Sequence, residues 1–291
     1  MQINFLDQYS SIDLQHLLVN GLLTQEGIHQ FRALIYSYYN KHKREFAWRN
    51  TDDPYHIIVS EVMLQQTQTE RVKEKYEQFI STFPSLEQLA GASIAEVLKV
   101  WQGLGYNRRA LALHALCQKI VEEYKSVVPQ TPETLQTFKG IGAATAASIC
   151  AFAFNSPTVF IETNIRAVFI HHFFLDAQEI GDKALFPLVE QTVDKEQPRI
   201  WYYALMDYGV MLKKTFKNPS RKSAHYTVQS KFEGSRRQLR GMIIKELVAA
   251  QELTVQSIVD YTKREKKEIN EVLQELIEEG FVKKKEDCYF L

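Results

Sequence analysis

Two acidic residues in this chain stand where their surroundings would give them opposite protonation states. Glu61 lies in the stretch Asp53-Pro54-Tyr55-His56-Ile57-Ile58-Val59-Ser60-Glu61-Val62-Met63-Leu64, with Ile57, Ile58 and Leu64 on its side at helical spacing. A carboxylate on or beside an apolar stripe resists ionising, so its pKa should rise and it could serve as a general acid near neutral pH. Glu162 ends the apolar run Val159-Phe160-Ile161, and a helix starts after it at Thr163 or Asn164. The dipole at that helix N-terminus favours the anion. One protonated and one ionised carboxylate are what hydrolysis through an oxocarbenium-like transition state needs. Glu61 would protonate the leaving group, and Glu162 would stabilise the sugar cation or orient water. The plainer readings are a surface glutamate at a stripe's edge and an ordinary N-terminal helix acid.

These side chains need helices to hold them. Asp52 or Asp53 can cap a helix whose first position suits Pro54, and Glu61 then rides on an amphipathic helix. Further helices are expected over 27–42, 71–83, from Pro84-Ser85-Leu86-Glu87, over 94–101 (capped by Ser93, with Glu96 in the capping-box position), 107–124, from Thr131-Pro132-Glu133 to a stop at Lys139-Gly140, and over 143–154, 164–174 and 198–214. Strand alternation is scarce before residue 280. Leu135-Gln136-Thr137-Phe138-Lys139-Gly140-Ile141-Gly142-Ala143 joins two of these helices through a glycine–apolar–glycine turn. Such glycines permit a tight turn and close backbone approach, Ile141 plugs the turn onto the core, and the amides that follow form a ready phosphate site. A G-x-G element alone is weak, and any helix–helix turn could carry it; between two well-marked helices it suits a helix-hairpin-helix that grips a DNA backbone without reading sequence.

The chain has 291 residues, zero formal net charge, 45% hydrophobic and 24% charged residues, which describes an ordinary protein able to bury a sizeable core. Its first residues lack the basic start and long apolar run of a signal peptide, and no run is long enough to span a membrane. Cys117, Cys150 and Cys288 are far apart and read as buried thiols of a reducing compartment such as the cytoplasm, with no metal site and no disulfide frame. The zero balance hides an asymmetry. Lys213, Lys214, Lys217, Arg221, Lys222, Lys231, Arg236, Arg237 and Arg240 face Glu233 alone over 213–240, an excess that suits double-stranded DNA or, more plainly, a solvated linker.

Taken together, Trp48-Arg49, Asp53-Pro54-Tyr55, Ser60-Glu61-Val62-Met63-Leu64-Gln65-Gln66-Thr67-Gln68, Trp101-Gln102-Gly103-Leu104-Gly105-Tyr106, the hairpin and Met206-Asp207-Tyr208-Gly209 resemble the helix-hairpin-helix DNA glycosylases, and most of all their MutY adenine glycosylase branch. The likeness runs from about Phe46 to about Lys213. It implies that Glu61 protonates the purine with Arg49 beside it, that Gln66 is the wedge entering the base stack, that Gly140 and Gly142 bind phosphate, and that Asn164 is an active-site residue. Gln65, Tyr106, Arg108, Lys139 and Ile141 are further candidates for DNA contact, joined by Arg236, Arg237 and Arg240 of the basic stretch. The chain also departs from the family pattern. The catalytic aspartate of the family falls on Glu162, the lysine of bifunctional relatives on Ala144, and a second tyrosine on Asn107. The four cysteines of the family's iron–sulfur cluster are missing, with Leu212-Lys213-Lys214-Thr215 in their region. No cofactor is expected, and base removal without strand cleavage is favoured because no amine is present to form a Schiff base.

Beyond residue 235, three helices and a short hairpin over 281–291 look like a winged helix, with a helical dimerisation domain as the alternative. The expected fold is all-α: a helix-hairpin-helix DNA glycosylase fold plus a C-terminal winged-helix-like domain. Residues 50–156 would form the helical barrel, 1–49 would pack with 157–235 with the active site between the two, and 236–291 would stand apart. The expected protein is a monomeric glycosylase acting on duplex DNA, most simply on mismatched adenine. A sister enzyme for another base and a non-catalytic DNA-binding protein are the competing readings.

Overall fold

A computed structural model of the chain describes residues 14–228 and 231–291. The opening residues read above as lacking a signal peptide lie outside the described residues. Helices dominate, and the chain divides into two compact units. The first takes 1–57, 130–136 and 141–228, and the second takes 58–129, 137–140 and 229–291. These limits differ from the expected 49/50, 156/157 and 235/236. The 143–154 helix falls in the first unit because Ala147, Ala151, Phe152 and Ala153 belong to its core.

The first unit begins with a hairpin, β1 (Leu18–Val19) and β2 (Leu22–Leu23), that the search for alternation missed. Its turn is Asn20-Gly21, both at positive φ, which is the strongest short hairpin signal a sequence offers. Strands of two residues are too short to show any period. Then come α1 (Gln25–His42) and the start of α2 (Pro54–Leu64), and, from residue 130 onward, α7 (Pro132–Leu135), α8 (Ala143–Phe154), α9 (Thr163–Phe173), α10 (Asp182–Thr192) and α11 (Pro198–Thr215). Phe31 of α1 lies at the centre, edge-on to Phe169 at 5.3 Å, Phe173 at 5.2 Å and Trp201 at 5.9 Å. The side chain of Gln191 on α10 bonds both the N–H and the carbonyl of Leu23, which ties β2 to that helix. The helix α10 over 182–192 is absent from the sequence expectation.

The second unit carries α3 (Thr69–Thr82), α4 (Leu86–Gly91), α5 (Ile94–Trp101) and α6 (Arg108–Tyr124). Ser93 and Glu96 form the expected capping box on α5. The C-terminal part follows in the order α12 (Arg236–Ala250), β3 (Glu252–Thr254), α13 (Val255–Thr262), α14 (Lys266–Glu278), β4 (Lys283–Lys285) and β5 (Cys288–Phe290). Its antiparallel sheet has the order β3-β5-β4, the arrangement of a winged helix. The expected two-stranded wing thus gains a third strand, held because Leu253 pairs with Tyr289 and both are buried. No helix among the described residues is long and apolar enough to cross a membrane.

Candidate active site

Glu61 is half-buried on α2. Asp53 caps that helix by accepting the Tyr55 N–H at 2.8 Å. The helix is more deeply buried than an amphipathic one: Tyr55, Ile57, Ile58, Val59, Ser60, Val62 and Met63 are all buried. A helix that is apolar on nearly every side belongs in a protein interior, and the glutamate is the one acid it carries.

Glu162 is the N-cap of α9. Its Oε1 accepts the backbone N–H of Asn164 at 2.7 Å and of Ile165 at 2.9 Å, and its Oε2 accepts the side-chain amide of Asn164 at 3.1 Å. These three donors hold both carboxyl oxygens in place. Asn164 therefore serves Glu162 through both its backbone and its amide, while its buried Oδ1 finds no donor among the described residues. The side chain of Lys213 lies near enough to feel Glu162. Burial lowers the Lys213 ammonium below the ordinary lysine range, and the charge of Glu162 opposes that shift.

The hairpin divides its work between its two glycines. Gly140 has φ +85°, and a Cβ there would come within 2.7 Å of the Ala112 Cβ, so both backbone shape and space call for glycine. Gly142 is the N-cap of α8, with φ −85°, and a Cβ there would meet nothing within 4 Å. No side chain caps that helix start. Ile141 and Phe138 are buried, whereas Lys139 is exposed. The side-chain amide of Gln65 reaches the Gly140 carbonyl at 3.3 Å, and Gln66 beside it is exposed with φ +53°. Tyr106, also at positive φ, is exposed with its hydroxyl 3.2 Å from Arg237.

A model of the HhH-GPD superfamily base excision DNA repair proteins matches residues 59–190. The adenine DNA glycosylase of Mus musculus is 34% identical over 226 residues, which cover 73% of this chain and 43% of that protein. The solved structure of a thermostable thymine-DNA glycosylase superposes with a TM-score of 0.56 at 26% identity, over 62% of this chain and 85% of that one. A non-covalent endonuclease III–DNA complex shares the fold with a TM-score of 0.54 at 16% identity, over 64% of this chain and 86% of that one. Residues 59–190 belong to the HhH-GPD superfamily. The chain spans less than half the length of the mouse protein.

Several parts of this HhH-GPD site were not legible as a site in the sequence. Asp207 is buried and receives Arg49 in a bidentate pair, Nη1 at 2.8 Å and Nη2 at 2.9 Å, and Arg44 through Nε at 2.6 Å. Arg49, expected beside Glu61, has its guanidinium committed there, stacked over Tyr203. Gly209, two residues beyond Asp207 on α11, has no room for a side chain, because a Cβ would lie 2.4 Å from the Asn164 carbonyl oxygen. The Met206-Asp207-Tyr208-Gly209 motif thus sets the position of the residue that serves Glu162. Arg109 is the other omission. Its buried guanidinium donates to the carbonyls of Val62, Met63, Gln65 and Gly105 and to the Thr67 hydroxyl, and burial pushes its pKa down to about 10. It closes the C-terminal end of α2 and ties the Gln66 turn to the Tyr106 loop. The motif strings contained signals for both, a lone acid on an apolar helix and an arginine after Gly-Tyr, but their partners lie too far along the chain to be read.

Three of the four arginines assigned to DNA pair with acids. Arg108 pairs with Glu279 at 2.6 Å, Arg236 with Glu271 and Glu275 at 3.2 and 2.7 Å, and Arg240 with Glu275 and Glu279 at 3.0 and 2.5 Å. Glu271 and Glu275 stand on α14 and Glu279 just past its end, outside the 213–240 stretch in which the basic excess is seen. Cys117 and Cys150 are buried as expected, and Cys288 is only partly so.

Proposed function

We propose that this protein is a DNA glycosylase that extrudes a base from duplex DNA and hydrolyses its N-glycosidic bond, with mismatched adenine as the substrate and no strand cleavage. The observation that carries the reading is the Glu162 carboxylate, fixed by the Asn164 and Ile165 amides at a helix start. An anion held there needs no reorganisation when positive charge develops on the sugar. Glu61 supplies the proton. As the C1′–N bond breaks, the base leaves with the bonding pair and that proton, and water adds its oxygen to C1′ while its proton passes to a carboxylate. The unpaired Oδ1 of Asn164 is an acceptor for that water or for the substrate. Flipping makes the bond accessible, and unstacking costs least at a mismatch. Adenine is proposed from the likeness to the mouse adenine glycosylase.

The chemistry stops at base removal because Ala144, exposed in the first turn of α8, offers a methyl group where a Schiff base needs an amine. The test is a panel of duplexes, each with one mispaired or damaged base, scored for abasic sites. Adenine removed from a mismatch supports the proposal, and borohydride should trap no covalent adduct. Removal of thymine would instead align the chain's substrate with the thermostable thymine-DNA glycosylase. Tight duplex binding with no abasic product from any member would overturn the enzymatic reading. Glu61→Gln should lower single-turnover excision roughly a hundredfold with DNA binding retained.

A further inference from the structure

The third helix of a winged helix is the element expected to enter a groove. Here it is poorly suited to do so. After Lys266 and Lys267, α14 carries Glu268, Glu271, Glu275 and Glu278. Glu271, Glu275 and the adjoining Glu279 fall at four-residue intervals on one face, where Arg236, Arg240 and Arg108 neutralise them. An acidic helix repels phosphate, and the arginines that could have attracted it are occupied.

The opposite charge collects elsewhere in the same module. Lys283, Lys284 and Lys285 of β4 are all exposed. Lys284 and Lys266, from separate elements, line a single cleft of about 410 Å³ together with Asn270, Gln256, Thr254 and Tyr289, with Asp287 as the one acid on its wall. Lys284 is steadied by the Tyr289 ring, 5.4 Å from its centroid. We propose that the C-terminal module holds the phosphate backbone of nucleic acid in this cleft, through the wing and the start of α14, and leaves the acidic face of α14 turned to the protein. Lysines on an edge strand also keep a sheet from pairing with another chain, and β4 is an edge. That role does not require Lys266, Asn270 and Gln256 to converge with Lys284. Two ammonium groups beside two amides are the donors a phosphodiester accepts.

The inference does not depend on base removal, so it is tested by binding alone. The full chain is titrated against an undamaged duplex by fluorescence anisotropy over a range of salt. Lys266→Glu and Lys284→Glu should each weaken binding roughly tenfold and reduce the slope of affinity against salt by about one phosphate. Lys284→Gln, which keeps length and loses charge, should fall between wild type and Lys284→Glu. Lys245→Glu, an exposed reversal on α12, should stay within about twofold of wild type. Equal weakening by all three reversals would show a general charge effect and overturn the cleft. So would unchanged binding in the two cleft variants, with or without aggregation. Should the wild type bind duplex in this way yet release no base from any substrate, the cleft would stand and the enzymatic reading would fall.

Discussion

Two of the clusters in which carboxylates meet guanidinium groups, one around Asp207 and one along α14, differ in depth. Asp207 is buried with its side chain 1% exposed, and it accepts Arg49, whose side chain is 6% exposed, in a bidentate pair. The ladder of Glu271, Glu275 and Glu279 with Arg236, Arg240 and Arg108 lies at the surface, where Arg236 is 44% and Arg108 71% exposed. The chemistry is the same, but the consequences are not. In the first place neither partner can be lost without stranding a charge out of water. In the second, water takes up either partner at little cost, and the ladder chiefly decides which charges remain unneutralised. The buried pair stands two residues from Gly209, which touches Asn164, so rigidity there passes directly to the Glu162 carboxylate.

The comparison breaks most readily at Asp207. Asp207→Ala leaves Arg49 uncompensated and should lower stability by about 3–5 kcal/mol, read by denaturant unfolding. A loss as small as that of a surface pair would erase the contrast. Arg109→Lys keeps the charge but loses the fork that reaches several carbonyls, and should cost about 2–3 kcal/mol. It should also slow excision from paired duplex more than from a duplex with the base already unpaired, because the turn holding Gln66 loosens. Gly209→Ala should cost about 1–3 kcal/mol by overpacking and should reduce excision further than its stability loss explains, since the Asn164 backbone must retreat. At the small end, Arg236→Gln should change stability by less than about 0.5 kcal/mol.

What the sequence made legible was local. The limits of α8 follow from Gly142 and Asn155 around an alanine-rich run, and Glu162 was placed by the apolar run before it and the helix after it. Helix starts and caps depend on neighbours within four residues, which a single sequence displays. The pairs that complete the site do not. Asp207 and Arg49 are 158 positions apart, and Arg108 and Glu279 are 171. Counting charges over 213–240 found the arginines of α12 but not the acids that satisfy them. The spacing of Ile57, Ile58 and Leu64 shows one apolar stripe on the helix of Glu61; burial of its other sides comes from elements whose approach no spacing reveals.

The most direct test of the account is the Glu162 carboxylate itself. Single-turnover excision is measured with wild type, Glu162→Gln and Glu162→Asp on a duplex that the wild type processes. The account predicts at least about a hundredfold loss with Glu162→Gln, DNA affinity and melting unchanged, because an uncharged amide cannot stabilise the sugar cation. Glu162→Asp should fall short of wild type, since the Asn164 and Ile165 amides are set for the longer side chain. Excision by Glu162→Gln at the wild-type rate would contradict the account.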